Sequence, residues 1–469
     1  MSFERRTTQP ENPLSRLAPD QTFAIVPEFT FESGFTIRQV PVAYKTWGVL
    51  NESGDNCMLI CHPLTRSVDV EDWWSTLMGD CNNEGEGRAI DDTKFFVVCL
   101  NVMGSPYGSA SPLTTDPETG NRYGPEFPLA TIRDDCRLHK LVLDDLGVKS
   151  IAICIGGSMA GMHALEWAFF GEDYIKLIVP VAAPAKSSAW SISWTESQRQ
   201  SIFTDPKYLD GYYALNAQPL QGMTAARMTA MLTYRTRDSY ERRFGRDIMK
   251  PSDTDPSASQ EKHTSASQWH RQVHNEGHHL ARPSSSVSVA AAAAIAAGAA
   301  GKVVAPPQTP ESISSPSGLS TLAMTTTPPI YAAHSYLRYQ ANKFNERFDA
   351  NCYIALSRKM DAHDVSLGRG DYEQVLQTIK QPVLVLGIET DILYPLSEMK
   401  AISDLLPNSE MIIIETAEGH DGILLEHEQV NKAIVDFMRK HSHTRDILAR
   451  EGVASPGRKG PRASLFASW

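Results

Sequence analysis

Short apolar runs alternate with amphipathic stretches through the first half of the chain. The runs are rich in β-branched residues and are bounded by turn-forming residues, so they predict buried strands. They cover residues 58–61, 95–101, 151–155 and 177–181. Between them, residues 134–146 and 159–170 carry apolar side chains at helical spacing. Strands that alternate with helices predict a mostly parallel sheet covered on both faces.

The same pattern returns near the C-terminus after a long interruption. Residues 383–387 and 411–414 predict two further strands, and residues 430–441 predict a closing helix. The chain is therefore expected to form an α/β core in two parts, residues 22–183 and residues 370–441.

The interruption, residues 184–369, has a different character. Its Met- and Arg-rich beginning, at 195–203 and 222–233, predicts helices that form a cap over the sheet. From about 250 to 329 the chain is rich in Ser, Pro, Ala and Thr and has few large apolar residues, which predicts a disordered insertion. Residues 442–469 are expected to be a flexible tail.

Composition narrows the class of protein. A chain of 469 residues with 42% hydrophobic and 21% charged residues is typical of a soluble globular protein. The net charge of -11 argues against binding to nucleic acid or to an anionic membrane. The run at 287–305 is mostly alanine and too weakly apolar for a membrane span. We see no secretory signal, and we expect a cytoplasmic protein.

Neither cysteines nor histidines indicate a metal site. The seven cysteines are odd in number and form no CxxC pair, which favours reduced, buried thiols. His270, His274, His278 and His279 have a spacing that would align them on a helix, but they lie in the predicted insertion. Solvated loop histidines are the favoured interpretation. No metal and no permanently bound cofactor is expected.

Residues 156–161 indicate a candidate nucleophile. They read Gly-Gly-Ser-Met-Ala-Gly, follow a predicted strand and precede a predicted helix. Strand, sharp turn and helix are the setting of a G-x-S-x-G nucleophile elbow, in which Ser158 is exposed above the sheet. Ala160 stands where the pattern has glycine. The motif alone fits a Gly-rich turn of a nucleotide-binding fold equally well.

The later part of the chain supplies partners in the required order. An α/β hydrolase places its acid and then its histidine after late strands. Asp391 lies beyond the predicted strand 383–387, and His420 lies in a Gly-His-Asp loop after the strand 411–414. Glu389 is an alternative acid, but Asp391 lies further into the loop. The sequence therefore predicts the triad Ser158, Asp391 and His420.

This triad predicts acyl chemistry. His420 takes the proton of Ser158, which attacks an acyl carbonyl, while Asp391 orients the imidazole. The backbone N–H of Met159 is one expected oxyanion donor. The second is expected after the strand 58–61, from the N–H of Leu64 or Thr65.

Many ordered blocks carry a resemblance to a known family. They extend from about residue 22 to 440, outside the predicted insertion, and comprise residues 40–48, 61–65, 69–74, 101–112, 123–128, 131–135, 156–161, 198–200, 335–340, 348–353 and 418–421. On these blocks the chain resembles the homoserine O-acetyltransferases, particularly the fungal ones, and the related deacetylcephalosporin C acetyltransferases. The resemblance implies the α/β-hydrolase fold with a helical cap.

The resemblance also implies substrates and roles. Acetyl-CoA, as co-substrate, would acetylate Ser158, and the hydroxyl of L-homoserine would then accept the acetyl group, a step of methionine biosynthesis. Arg199 and Asp421 would bind the carboxylate and the ammonium of the amino acid, which suits their charges. The resemblance implies a homodimer.

Some positions depart from the family pattern around the expected pocket. Pro63 and Arg66 replace small residues near the oxyanion loop, and Gly422 and Ile423 stand where the family has a small residue and an aromatic one. Arg66 adds a charge that is suited to a CoA phosphate or an acidic substrate. Acetylation of a secondary-metabolite alcohol is therefore an alternative function, and ester hydrolysis is another.

Overall fold

The structure, a computed structural model, describes residues 2–79, 87–248, 266–275, 277–278 and 330–453. The chain divides into two compact units. The first comprises Met1–Gly245 and Tyr336–Trp469, and the second comprises Arg246–Ser335. The candidate chemistry lies in the first unit.

The described residues of the first unit form a nine-stranded sheet. The strands are β1 (Glu4–Arg6), β2 (Thr22–Thr30), β3 (Thr36–Trp47), β4 (Cys57–Ile60), β5 (Phe96–Leu100), β6 (Ile151–Gly157), β7 (Ile178–Val181), β8 (Val383–Ile388) and β9 (Ser409–Ile414). Their order in space is β1-β2-β3-β5-β4-β6-β7-β8-β9. From β5 to β9 all neighbours are parallel, whereas β1, β2 and β3 form an antiparallel edge that pairs with β5.

The six strands predicted from apolar runs are confirmed, and with them the mostly parallel sheet. The antiparallel edge was not predicted. Polar residues such as Glu28 and Arg38 interrupt its apolar runs, because an antiparallel strand can leave part of its surface in water.

Fourteen helices occur in the described residues. They are α1 (Val70–Trp73), α2 (Ile132–Asp145), α3 (Met159–Trp167), α4 (Ala189–Phe203), α5 (Leu220–Tyr234), α6 (Arg237–Phe244), α7 (Ala266–His274), α8 (Ala332–Asn345), α9 (Ala350–Asp361), α10 (Tyr372–Gln377), α11 (Leu396–Leu405), α12 (Gly422–Leu425), α13 (His427–Lys440) and α14 (Ser442–Leu448). The predicted helices at 134–146, 159–170 and 430–441 correspond to α2, α3 and α13.

The core lies on both faces of the sheet. Successive residues of β4 point to opposite sides, so that Leu59 belongs to one apolar cluster while Met58 and Ile60 belong to the other. All three residues are buried, which is expected for a central parallel strand. With the two apolar clusters packed on its faces, the sheet places the carboxyl ends of β4, β6, β8 and β9 at one edge. Parallel sheets carry their functional loops at this edge.

The predicted cap helices at 195–203 and 222–233 lie within α4 and α5. These two helices pack closely at Gly222, where a Cβ atom would lie 2.5 Å from the carbonyl oxygen of Ser201. The Gly222 N–H donates to Asp205 Oδ2 at 2.9 Å. This contact fixes the start of α5 and so the direction of its side chains.

The flexible tail predicted from residue 442 is corrected in its first part, because Ser442–Leu448 form the helix α14. Ile447 is fully buried in the core, and Thr444 Oγ1 donates to the carbonyl of Met438 at 2.6 Å. Leu448 also packs against this core, so the short helix is docked by two apolar side chains and one hydrogen bond. The remainder of the tail, from 454, lies outside the described residues.

The second unit contains most of the predicted disordered insertion, about 250–329. This prediction lies outside the described residues except at 266–275 and 277–278, where Ala266–His274 form the helix α7. Within the same unit Ile248 and Tyr331 form an antiparallel bridge. Across the ranges that the structure describes, no helix has the length and apolar character needed to cross a membrane.

Candidate active site

The turn between β6 and α3 holds Ser158 in a strained conformation. Its backbone has φ 60° and ψ -130°, a region that side-chain-bearing residues rarely adopt. The Ser158 N–H donates to the Val181 carbonyl at 2.9 Å, which ties the turn to β7. This is the geometry of a nucleophile elbow, which the sequence predicted.

Two close approaches explain why the turn needs small residues. A Cβ at Gly156 would lie 2.2 Å from the carbonyl oxygen of Ala160. A Cβ at Gly161 would lie 2.3 Å from the Cβ of Ala183. Ala160 itself is fully buried, and its methyl group is accommodated because position 156 has no side chain.

Asp391 and His420 form a buried pair at the ends of β8 and β9. His420 Nδ1 lies 2.6 Å from Asp391 Oδ2, and Asp391 Oδ1 accepts the N–H groups of Leu393 and Tyr394 at 2.8 and 3.0 Å. The alternative acid, Glu389, is exposed to solvent. The structure therefore brings Asp391, and not Glu389, to the histidine.

Ser158 and His420 line the same cavity. Among the described residues no hydrogen bond joins Ser158 Oγ to the imidazole. Contacts of a general base commonly tighten only when substrate is bound. The arrangement supplies a nucleophile and a base within one cavity, and an orienting carboxylate that contacts the base.

Burial and charge act in opposite directions on His420. Burial lowers its pKa, but the charge and the hydrogen bond of Asp391 outweigh burial, so the pKa is raised above the ordinary value of histidine. The rings of Tyr234 and Tyr394 lie 6.0 and 5.4 Å from the imidazole ring. These two tyrosines supply aromatic walls that the sequence analysis did not identify.

The expected oxyanion donors are the N–H groups of Met159 and Leu64. Met159 is the first residue of α3, and the first N–H groups of a helix have no acceptor within it. Leu64 lines the cavity beside Ser158, and its N–H donates to no acceptor in the part of the chain that the structure describes. Both groups are therefore available to a substrate oxygen.

The cavity has a volume of about 1140 Å³, open solvent included, and an uneven charge. Its described lining includes the cations Arg66, Arg227, Lys343 and Arg347, and one carboxylate, Asp421. Such a lining favours substrates that carry negative charge.

The expected carboxylate ligand, Arg199, is not part of this lining, which corrects the sequence-based assignment. Its side chain is buried on the far side of α4, where the guanidinium lies 2.7 Å from Glu196, 2.6 Å from Asp361 and 3.1 Å from Ser357 Oγ. These partners occupy its hydrogen-bonding groups, so Arg199 joins α4 to α9.

Arg227, on α5, is the arginine that faces the cavity. Its Nε and Nη1 are buried and have no hydrogen-bond partner among the described residues. The guanidinium carbon lies 5.5 Å from the ring centre of Tyr234 and 5.0 Å from that of Phe344. The sequence does contain a pattern that could have identified Arg227. This arginine lies four residues from both Met223 and Met231, on a helical face that is otherwise apolar.

Asp421 lies in the cavity, as the sequence analysis expected. Arg235 Nε lies 2.7 Å from Asp421 Oδ2. Burial raises the pKa of Asp421, although the Arg235 charge opposes this. The Asp421 carboxylate thus lies next to His420 in the chain, and Arg227 supplies the opposite charge in the same cavity. Such a pair of charges suits a zwitterionic ligand.

Arg66 lines the cavity but is deeply buried, with 6% of its surface exposed. Burial, with the charges of Arg347 and Arg227, lowers its pKa to about 10. Arg347 Nη1 donates to the Thr65 carbonyl at 2.9 Å. Two guanidinium groups therefore stand next to the expected oxyanion loop.

Comparison with known proteins shows which family this chain resembles over nearly its whole length. A family model described as alpha/beta hydrolase fold matches residues 56–426. A homoserine O-acetyltransferase of Ascobolus immersus is 46% identical over 96% of this chain and 93% of its own length. A homoserine O-acetyltransferase of Saccharomyces cerevisiae is 47% identical over 97% of this chain and 94% of its own length.

Solved structures show the same fold at lower identity. A homoserine O-acetyltransferase from Bacillus anthracis has a TM-score of 0.65 and 21% identity, and it covers 93% of this chain and 99% of its own. The esterase E22 has the same TM-score and identity, and it covers 89% of this chain and 99% of its own. A transferase and an esterase thus share this architecture, so the fold alone does not distinguish acyl transfer to an alcohol from hydrolysis.

Proposed function

Because the chain belongs to the homoserine O-acetyltransferases, which are acyltransferases of the α/β-hydrolase fold, we propose that it transfers an acetyl group from acetyl-CoA to L-homoserine. The observation that carries the proposal is one cavity that is lined by both Ser158 and His420 and by a pair of opposite charges. Ser158 and His420 supply the chemistry, and Arg227 and Asp421 fit an amino-acid head group.

The first half-reaction acetylates the enzyme. Ser158 Oγ attacks the thioester carbonyl while His420 takes its proton, and the N–H groups of Leu64 and Met159 stabilise the oxyanion. When the tetrahedral intermediate collapses, the carbon–sulfur bond breaks and the CoA thiolate receives the proton from His420. Acetyl-Ser158 and free CoA remain.

The second half-reaction transfers the acetyl group to the acceptor. His420 takes the proton of the homoserine hydroxyl, whose oxygen attacks the carbonyl of acetyl-Ser158. The bond to Ser158 Oγ then breaks, and Ser158 recovers the proton from His420. The products are O-acetylhomoserine and the free enzyme.

Arg227 and Asp421 are the proposed ligands of the acceptor. The guanidinium of Arg227 is suited to two hydrogen bonds with the α-carboxylate, and Asp421 is suited to the α-ammonium. Asp421 directly follows His420, so a bound ammonium places the acceptor near the catalytic base. This assignment replaces Arg199, whose guanidinium is already paired.

The remaining cations fit the donor. CoA carries phosphate groups, and Arg66, Lys343 and Arg347 line the same cavity as Ser158. Their positive charge raises the local concentration of an anionic donor and directs its approach.

The test is an assay of CoA release. Purified protein is incubated with acetyl-CoA in the presence and absence of L-homoserine, with a Ser158→Ala variant as control. The proposal expects release that depends on homoserine and is absent from the variant. Equal release with and without homoserine would instead show hydrolysis. An acetyl-enzyme that homoserine does not discharge would show a different acceptor.

A further inference from the structure

A buried polar network lies behind the expected oxyanion loop, outside the cavity. Its member nearest the loop is His62, which is fully buried and directly precedes Pro63 and Leu64. The mechanism above gives His62 no role. A buried imidazole needs hydrogen-bond partners, and their arrangement shows which nitrogen carries the proton.

The partners of His62 Nε2 are both donors. The Val102 N–H donates to it at 3.1 Å, and Asn101 Nδ2 also lies 3.1 Å away. A backbone N–H can only donate, so Nε2 is the acceptor. The proton of the neutral ring therefore resides on Nδ1, which donates to the Pro63 carbonyl at 3.0 Å.

The neutral form of the ring is maintained by its surroundings. Burial lowers the pKa of His62 to about 3, although the hydrogen bond to the Pro63 carbonyl acts in the opposite direction. Asn101 is itself held in place, since its Nδ2 donates to Ser105 Oγ at 2.9 Å. The ring is thus fixed in one tautomer and one orientation.

The Pro63 carbonyl belongs to the same peptide unit as the Leu64 N–H. In a trans peptide these two groups point in opposite directions, and the described residues contain no cis peptide bond. The Arg66 N–H also donates to the Pro63 carbonyl, at 3.0 Å. With two donors on the carbonyl, the peptide plane is fixed and the Leu64 N–H points away from His62.

We propose that His62 is a positioning residue for acyl transfer, which orients the Pro63–Leu64 peptide so that the Leu64 N–H faces the oxyanion. The inference rests on the proposed reaction at Ser158. His62 does not touch the substrate. It acts through a backbone group that must be preorganised before charge develops on the carbonyl oxygen.

Two substitutions at His62 separate the roles of its two nitrogens. In His62→Asn the side-chain amide lies near the position of Nδ1 and retains a donor for the Pro63 carbonyl. In His62→Gln the amide lies near the position of Nε2 and leaves that carbonyl with Arg66 alone. We expect His62→Gln to lower kcat about 10²-fold, the loss that follows removal of one oxyanion donor, with little change in KM. His62→Asn keeps most of the activity.

His363 offers a matched control. It is buried, its pKa is lowered to about 3 by burial, and its Nε2 lies 3.2 Å from the carbonyl of Pro184, which follows β7. Neither His363 nor Pro184 lines the cavity. His363→Asn removes a histidine–proline contact of the same kind, because the Asn amide does not reach the position of Nε2. It is expected to lower stability without selectively lowering kcat.

The second readout is binding of an alkyl boronic acid, which forms an anionic tetrahedral adduct on a nucleophilic serine. Its affinity is expected to fall in His62→Gln in parallel with kcat, and to change little in His62→Asn and His363→Asn. Equal losses in His62→Asn and His62→Gln, or unchanged boronate affinity in a folded His62→Gln, would overturn the inference. A wild-type protein that no acyl-CoA acylates would instead overturn the proposed function.

Discussion

Ser158, Asp391 and His420 come from three distant parts of the chain, and each is held by its immediate surroundings. A strained turn presents Ser158, two backbone N–H groups fix Asp391, and Asp391 fixes His420. The Asp391 carboxylate has two tasks. It selects the tautomer of the His420 imidazole, and it raises the pKa of that ring.

Asp391→Asn tests both tasks. A general base must be unprotonated, so kcat/KM of the wild type falls as the pH drops through the raised pKa of His420. Without the Asp391 charge, burial dominates and lowers the pKa of His420, so the midpoint of this acid limb moves to lower pH. The activity at neutral pH falls about 10⁴-fold, as for the equivalent change in serine proteases.

The measurement is kcat/KM between pH 5 and 9, with Glu389→Gln as control because Glu389 is exposed. The control should reproduce the wild-type profile. An acid limb that Asp391→Asn leaves at its wild-type midpoint would contradict the assigned role of Asp391.

Arg227→Gln tests the proposed acceptor site. Hydrogen bonds to charged groups contribute about 1.5–3 kcal/mol, so the KM for L-homoserine is expected to rise roughly 10- to 150-fold. The rate at which acetyl-CoA acetylates Ser158 should change little. CoA release in the steady state measures the KM for L-homoserine, and CoA release in the first turnover measures the rate of Ser158 acetylation.

Arg199→Gln is the matched variant for this test. It breaks the ion pairs with Glu196 and Asp361, and so it should lower the melting temperature and leave the KM for homoserine near its wild-type value. A raised KM in Arg199→Gln, together with a normal KM in Arg227→Gln, would restore the assignment made from the sequence.

At the scale of elements, the turn from β6 to α3 depends on the packing of α3 against β7. Gly161→Ala places a Cβ 2.3 Å from that of Ala183, so one of the two elements must move. Overpacking of this kind costs about 1–3 kcal/mol of unfolding free energy. Because the turn carries Ser158, kcat should fall as well.

Urea unfolding and steady-state kinetics check this prediction, with Ala160→Gly as the comparison. That substitution restores the usual pattern of the turn and should cost only about 0.5–1 kcal/mol, the helix penalty of glycine. A Gly161→Ala protein as stable and active as the wild type would show that the packing of α3 does not constrain the turn.

Sequence patterns predicted the elements and residues that depend on local signals. The parallel strands appear as apolar runs, and the triad follows from an elbow motif and two strand ends in fixed order. Arg199 and Arg227 both lie on predicted cap helices, and only the packing of α4 on α5 and α9 decides which of them faces the cavity. The antiparallel edge and α14 were missed because their signals are short or interrupted.

At the scale of the whole molecule, three buried histidines link stability to pH. Burial lowers the pKa of His62 to about 3, that of His139 to about 4 and that of His363 to about 3. In the unfolded chain each titrates near 6.5. Between these values the unfolded state binds protons that the folded state excludes, so stability falls as the pH drops below about 6.5.

Each such histidine adds a slope of about 1.4 kcal/mol per pH unit to the unfolding free energy. Urea unfolding at several pH values from 7 to 4.5 measures the total slope. His363→Gln removes one of the three groups and should reduce the slope by about that amount. A stability that does not change between pH 6.5 and 4.5 would contradict the neutral state assigned to these residues.

The central claim is that the acyl group passes through Ser158. The most direct measurement is the intact mass of the protein after brief mixing with acetyl-CoA, followed by peptide mapping and a second mixing with L-homoserine. The account predicts a mass increase of one acetyl group on Ser158, absent in Ser158→Ala, which homoserine removes as O-acetylhomoserine forms. Product formation with acetyl-CoA and no acetyl group on Ser158 at any time would contradict it.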